Sequence, residues 1–230
     1  MLIGKKLGKF NQYFDIFYFF FKNLYVKVRY DILLENYLEC REFLSYPDMY
    51  LFMKQQNLTN IIDVGSQYCD YAIMFSKFYK SKVYAYEPLR ENFEKAIKNI
   101  KINNSNIILS NILIGNGEDL TFTVNGNMVI NSHDKVSGKL KSVKLDDIFR
   151  NFNENIDLIK IDVEGFEYEV LKGAKDLLGK FKPPIIIEIP NKSYIYNKIM
   201  DYLMELNYRV DQVIDNIYDR DTKIIFFKVY

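Results

Sequence analysis

From residue 60 onward, short apolar runs alternate with stretches whose apolar residues recur every three or four positions. The runs cover residues 61–64, 83–86, 107–109, 156–162 and 185–189. Each is too short for a helix and mostly apolar, which predicts strands buried on both faces. Between them, Ala72, Phe75 and Tyr79, and then Phe93, Ala96, Ile97 and Ile100, line single faces of predicted helices. Further helices are predicted over 166–178 and around 194–206. Strands and helices in alternation predict crossover connections, and so an α/β fold with a mainly parallel sheet.

Two segments depart from this rhythm. Residues 116–145 are punctuated by Gly117, Gly126 and Gly138, and hold two alternating segments, 120–124 and 140–145. They predict antiparallel strands in an excursion of the kind that carries specificity. Near the other end, segments 208–213 and 223–229 flank Asp215, Asn216 and Asp219. They predict a terminal hairpin that adds an antiparallel edge to the parallel sheet.

The first 50 residues have a different pattern. Ile32, Leu33, Tyr37, Leu38 and Phe43 keep helical spacing until Ser45, Tyr46 and Pro47 break it. No repeat or linker divides the rest of the chain, so the expected organisation is a helical extension over 1–50 and one domain over 51–230. Residues 1–30 hold Lys5, Lys6, Lys9, Lys22, Lys27 and Arg29 against Asp15 alone. Their apolar run, residues 14–21, is roughly half of the ~20 residues that span a bilayer, and no small-residue cleavage site comes after it. Neither a membrane span nor a signal peptide is expected. A basic, aromatic helix of this kind suits packing on the main domain, homodimerisation, or peripheral contact with an anionic membrane surface.

Composition narrows the class. With 230 residues, 49% of them hydrophobic, the chain is long enough for one sizeable core. Thirty-one Lys and Arg against 30 Asp and Glu create no field that favours a polyanion, so nucleic acid is not the expected partner. Two cysteines, Cys40 and Cys69, make no disulfide framework or zinc cluster and suit a reducing, cytoplasmic setting.

The candidate chemistry sits at strand ends, where open α/β sheets bind ligands. In IIDVGSQYCDYAIMF, Gly65 comes directly after a strand and opens the turn that contains Ser66. The G-x-G-x-x-G pattern of a pyrophosphate site is missing, and Asp63 would repel a pyrophosphate while attracting a cation. S-adenosylmethionine carries both a sulfonium and an ammonium group. Glu87 ends the next strand, 22 residues after Gly65, where a carboxylate accepts the hydroxyls of a ribose. The run 156–162 ends in Asp162, Glu164 and Gly165, and Glu188 ends its neighbour. Three acids raise the question of a magnesium site, but their separation gives no dedicated ligand spacing, and no metal is assigned. His133, the one histidine, lies in the glycine-punctuated excursion and is a candidate base.

These blocks, in this order, resemble the FkbM family of S-adenosylmethionine-dependent methyltransferases. The resemblance runs from about Ile61 to Ile189, on IIDVG, VYAYEPLRENFEKAIKNIKIN, SVKLDDI, DLIKIDVEGFEYEVLKGA and PIIIEI. It implies a Rossmann-like class I methyltransferase: a seven-stranded, mainly parallel sheet whose last strand is antiparallel. It further implies methyl transfer, commonly to a hydroxyl of a sugar, a glycan precursor or another small metabolite. Position by position, Asp63, Gly65 and the adjoining Ser66 fall in the cofactor turn, Glu87 takes the ribose, and Asp162, Glu164 and Gly165 form the central motif. Asp162 is either the base that takes the acceptor proton or the group that holds the cofactor's amino group. Glu164 either faces the acceptor, bonds the turn at Gly165 or caps the next helix. Cys69 replaces a second family glycine; it is either an activated thiol at a helix start or a small side chain tolerated in a turn. The competing readings are a non-catalytic binding or assembly module on the same fold, and a nicotinamide-dependent oxidoreductase, disfavoured by the missing glycines.

Overall fold

The computed structural model describes residues 57–125, 128–131, 138–190, 194–215 and 222–230. The predicted extension over 1–50 and the candidate base His133 lie outside the described residues. Strands β1 (Asn60–Val64), β2 (Lys82–Tyr86) and β3 (Ile107–Ser110) are joined through helices α1 (Asp70–Phe78) and α2 (Arg90–Asn103). Three strands, β4 (Asp119–Asn125), β5 (Met128–Asn131) and β6 (Gly138–Lys141), form the excursion, and the short helix α3 (Leu145–Ile148) comes next. Then come β7 (Leu158–Ile161), helices α4 (Glu167–Lys172) and α5 (Lys175–Phe181), β8 (Ile185–Pro190), α6 (Tyr194–Glu205), β9 (Tyr208–Asp215) and β10 (Thr222–Val229).

The main sheet has seven strands in the order β3-β2-β1-β7-β8-β10-β9, and only the pairs made by β10 are antiparallel. Side chains alternate across it with a period of two. Ile62, Val64, Ile159, Ile161, Ile185 and Ile187 face one side, where they pack with Leu145, Phe149, Val170, Leu171, Leu178, Ile199 and Leu203 of the helices from α3 onward. At roughly 1.5–3 kcal/mol for each fully buried apolar side chain, this layer locks the strand register. The opposite face, with Ile61, Asp63, Leu158 and Lys160, meets α1, whose Tyr71 ring lies against Lys160.

Several expectations are corrected. The helix predicted over 166–178 is two helices, α4 and α5, because the main chain at Gly173 passes very close to Gly115. A Cβ on Gly173 would lie 1.9 Å from the Gly115 carbonyl oxygen. The break also frees the start of α5, whose Asp176 and Leu177 N–H groups donate to the Asp146 carboxylate at 3.2 and 2.9 Å. The segment predicted as a strand over 140–145 stops at Lys141, and Leu145 opens α3 instead. Between them, the Ser142 N–H and hydroxyl both donate to the Glu118 carbonyl, and Val143 pairs with Ile114 in an isolated bridge. The excursion also holds β5, which the pattern did not reveal, in the order β5-β4-β6.

The terminal hairpin forms, but its last strand is not the edge. β10 inserts between β8 and β9, since Ile224, Ile225, Phe226 and Phe227 are all buried while Val210 and Val213 of β9 stay exposed. The more apolar strand takes the interior position. Among the described residues no helix is long and apolar enough to cross a membrane.

Two glycines in contrasting surroundings make the packing testable. Gly173→Ala should destabilise the protein by about 1–3 kcal/mol, as overpacking against a backbone atom does. Gly179, inside α5, has nothing within 4 Å of the position a Cβ would take. Gly179→Ala should stabilise by about 0.5–1 kcal/mol through helix propensity. Urea denaturation midpoints of the two variants check both signs.

Candidate functional site

β1 and β7 are parallel neighbours whose chains leave in opposite directions, one toward β2 and the other toward β8. The strand order reverses there, which is the place where open α/β sheets bind ligands beyond the carboxyl ends of their strands. In the pairing register Asp63 lies opposite Lys160, and Asp162 comes two residues later on the same side. Lys160 is only 5% exposed. Its Nζ lies 3.1 Å from Asp162 Oδ2, 3.8 Å from Asp63 Oδ1 and 4.6 Å from the centre of the Tyr71 ring. Burial pulls the ammonium group down, but the carboxylates of Asp162, Asp63 and Glu188 outweigh it and hold Lys160 above the ordinary lysine value. Asp63 is fully buried, and neither of its oxygens has a hydrogen-bond partner among the described residues. Burial raises its carboxyl to about 6, against the opposing pull of Lys160.

Lys160 did not emerge from the sequence. Its signal is a lone charge in an apolar strand, in register with another lone charge, Asp63. Its ammonium group stands between Asp63 and Asp162. Among the described residues no three His, Cys, Asp or Glu side chains form a group that could hold a metal ion.

The turn after β1 takes left-handed conformations at alternate residues, with φ of +81° at Gly65, +46° at Gln67 and +65° at Cys69. A Cβ on Gly65 would lie 1.8 Å from the Asp162 carbonyl oxygen. The glycine therefore admits the main chain of the neighbouring strand end, a role that the expected approach of a ligand did not anticipate. The N–H groups of Gly65 and Ser66 both donate to the Tyr86 carbonyl at 3.0 Å. Ser66 is buried and its hydroxyl accepts a weak bond from Cys69 Sγ at 3.6 Å. Burial pushes the Cys69 thiol far above its ordinary range, so the activated-thiol reading fails. The left-handed backbone explains why glycine suits this position.

Glu87, 4% exposed, accepts the Gln67 N–H on Oε2 at 2.9 Å, and the Leu89 N–H and Asn92 Nδ2 on Oε1 at 2.9 and 3.1 Å. A carboxylate offers about four acceptor positions, so three donors leave one for a ligand. Burial raises Glu87 to about 7, and these donors oppose the rise. Asn92 belongs to a buried stripe on α2 that also holds Ala96, Asn99 and Asn103. This face replaces the predicted one of Phe93, Ala96, Ile97 and Ile100, in which only Ala96 is fully buried. The physical reason is that Asn99 Nδ2 donates to the Tyr68 carbonyl at 2.8 Å, tying the helix to the turn. Amides at spacings of seven and four were the available signal.

After β7, Glu164 is exposed with φ of +52°, and Gly165 has φ of +100°. The Gly165 N–H donates to Glu167 Oε1 at 2.9 Å, so Glu167 bonds the turn at Gly165. Glu167 is 1% exposed and its second oxygen lacks a hydrogen-bond partner among the described residues. Burial raises it to about 7, opposed by the Gly165 and Glu167 N–H groups. Its spacing to Val170, Leu171 and Ala174, all buried, was the sequence signal for a carboxyl inside the core.

A buried acid with a raised value binds its proton more tightly in the folded chain. Its contribution to stability is present below the unfolded value, 4.5 for Glu167, and is lost as pH rises through about 7. Glu167→Gln cannot ionise. From pH 5 to pH 8 its stability relative to wild type should improve by about 1–3 kcal/mol, given 1.36 kcal/mol per unit. Denaturant titrations of both proteins at the two pH values measure this difference.

Residues 60–210 match the methyltransferase FkbM domain family. The fold is similar to that of methyltransferase FkbM from Methylobacillus flagellatus KT, with a TM-score of 0.55 at 18% identity. That match covers 74% of this chain and 44% of the other, so the chain spans less than half its length. The Methanococcus jannaschii fibrillarin pre-rRNA processing protein gives a TM-score of 0.51 at 15% identity, over 76% of this chain and 67% of that one. Ribosomal protein L11 methylase from Lactobacillus delbrueckii subsp. bulgaricus gives 0.50 at 13%, over 83% and 80%. At these identities the likeness is one of fold, a Rossmann-like class I methyltransferase fold. No curated protein matches the sequence.

Proposed function

The chain belongs to the FkbM methyltransferase family, and from that premise we propose that it binds S-adenosylmethionine at the ends of β1, β2 and β7 and methylates a hydroxyl of a sugar, a glycan precursor or another small metabolite. The observation that carries this reading is the charge of the cluster at the ends of β1 and β7. Asp63 and Asp162 exceed the single ammonium group of Lys160 by one negative charge. Asp63 is buried without a hydrogen-bond partner among the described residues, and Glu87 keeps one acceptor position open. Such a site fits a nucleoside with a net positive charge better than a pyrophosphate.

In this assignment Glu87 holds the ribose, Asp63 and Asp162 hold the cationic end, and the Gly65–Ser66 main chain lies beside it. When bound, S-adenosylmethionine supplies a methyl group on a sulfonium, which becomes a thioether as the methyl passes to an acceptor oxygen. The chain's own contribution is mainly alignment. The acceptor hydroxyl gives up a proton, and Glu164 and Asp162 are the carboxylates at this end of the sheet that could receive it. A near-balanced overall charge favours a small neutral acceptor over nucleic acid, and the low cysteine content suits the cytoplasm.

Titration calorimetry with S-adenosylmethionine is the test. Wild type should bind, and Glu87→Ala, confirmed as folded by circular dichroism, should lose at least about tenfold in affinity, the cost of one buried charged partner. A folded wild-type protein that does not bind the donor would overturn the proposal.

A further inference from the structure

The buried charge cluster between β1 and β7 carries one step more, which rests on the proposed binding of the donor. We propose that Lys160 is a positioning residue: its bond to Asp162 Oδ2 sets that carboxylate to hold the cationic part of the donor, and so withdraws Asp162 from proton transfer. Of the two roles open to Asp162, this selects the anchor.

The ammonium group of Lys160 is almost completely buried, and a buried charge is retained only with partners. Its partners are Asp162 at 3.1 Å, Asp63 at 3.8 Å and the face of Tyr71 at 4.6 Å. Asp162 Oδ2 is committed to this bond, while a quarter of the Asp162 side chain remains open. Taking a proton from a hydroxyl would neutralise Asp162 and leave the ammonium with Asp63 as its closest charged partner, beyond hydrogen-bond length. Holding a second cation carries no such penalty, because the pair with Lys160 is kept.

The surrounding groups act in the same direction. Asp63 from β1, Asp162 after β7 and Glu188 from β8 all act on Lys160. Glu87 after β2 is coupled to Asp63, and Tyr71 of α1 supplies the ring. Cys69, the nearby thiol, is kept neutral by burial. With no cation at position 160, the acids would raise one another's proton affinity and the cluster would take up a proton near neutral pH. A cationic donor would then have to expel that proton on binding.

Calorimetry at pH 7.5 in buffers of different ionisation enthalpy counts the protons released when S-adenosylmethionine binds. Wild type sets the reference count, to which Glu87 and the donor's own amino group contribute. Lys160→Met, which keeps most of the length of the side chain without its charge, should bind about tenfold more weakly or worse and release about one proton more than wild type. Lys160→Arg should restore the wild-type proton count. A purely structural role would change affinity but not proton release. Asp162→Asn keeps the shape and cannot be ionised, and it should lose donor binding; retained affinity would return Asp162 to the role of base and overturn the inference. A Lys160→Met protein with wild-type affinity and proton count would do the same. Without any ligand, Lys160→Met should lose stability relative to wild type as pH rises from 5.5 to 8.5. An unchanged pH dependence counts against Lys160 even if wild type fails to bind the donor, which would separately remove the donor reading. If Lys160→Met does not fold, Lys160→Arg and Asp162→Asn still decide the matter.

Discussion

The carboxyl end of the central sheet is organised around one ammonium group held between the acids of two adjacent strands. Strand pairing puts Asp63 opposite Lys160, and the two-residue period of β7 puts Asp162 beside them. The same register sends Ile62, Val64, Ile159 and Ile161 into the apolar layer on the other face. A slip of one residue would move Lys160 into that layer and Ile161 out of it. Core packing and the charge cluster therefore enforce a single alignment of β1 against β7.

Close approaches of bare main chain complete the frame. Gly65 lets the Asp162 carbonyl occupy the space of a side chain, which draws the two strand ends together. Gly173 does the same against Gly115, and so brings the Asp146 carboxylate to the start of α5. In both places a glycine serves a long-range backbone contact, and at Gly65 the left-handed turn requires it as well.

Two of the buried carboxyls along this edge are secured by main-chain donors. Glu87 is held by the Gln67 and Leu89 N–H groups and Glu167 by the Gly165 N–H. Hydrogen bonds recover part of the cost of removing these acids from water, and their raised values show that the recovery is incomplete.

The alternation of apolar runs was enough to determine the strands of the main sheet, their mostly parallel arrangement and the acids at their ends, because period and burial are local properties of the chain. Asp63, Gly65, Glu87, Asp162 and Glu164 were legible as strand-end residues for that reason. Residues whose importance comes from a distant partner were not: Lys160 matters through Asp63, Glu167 through the Gly165 turn, and Asn99 through the Tyr68 carbonyl. The break at Gly173 and the insertion of β10 inside the sheet also depend on what lies opposite. The order of residues settles which groups can form strands and bear charge, whereas strand register and close backbone contact decide which of those charges meet, since that depends on distances the chain acquires only once folded.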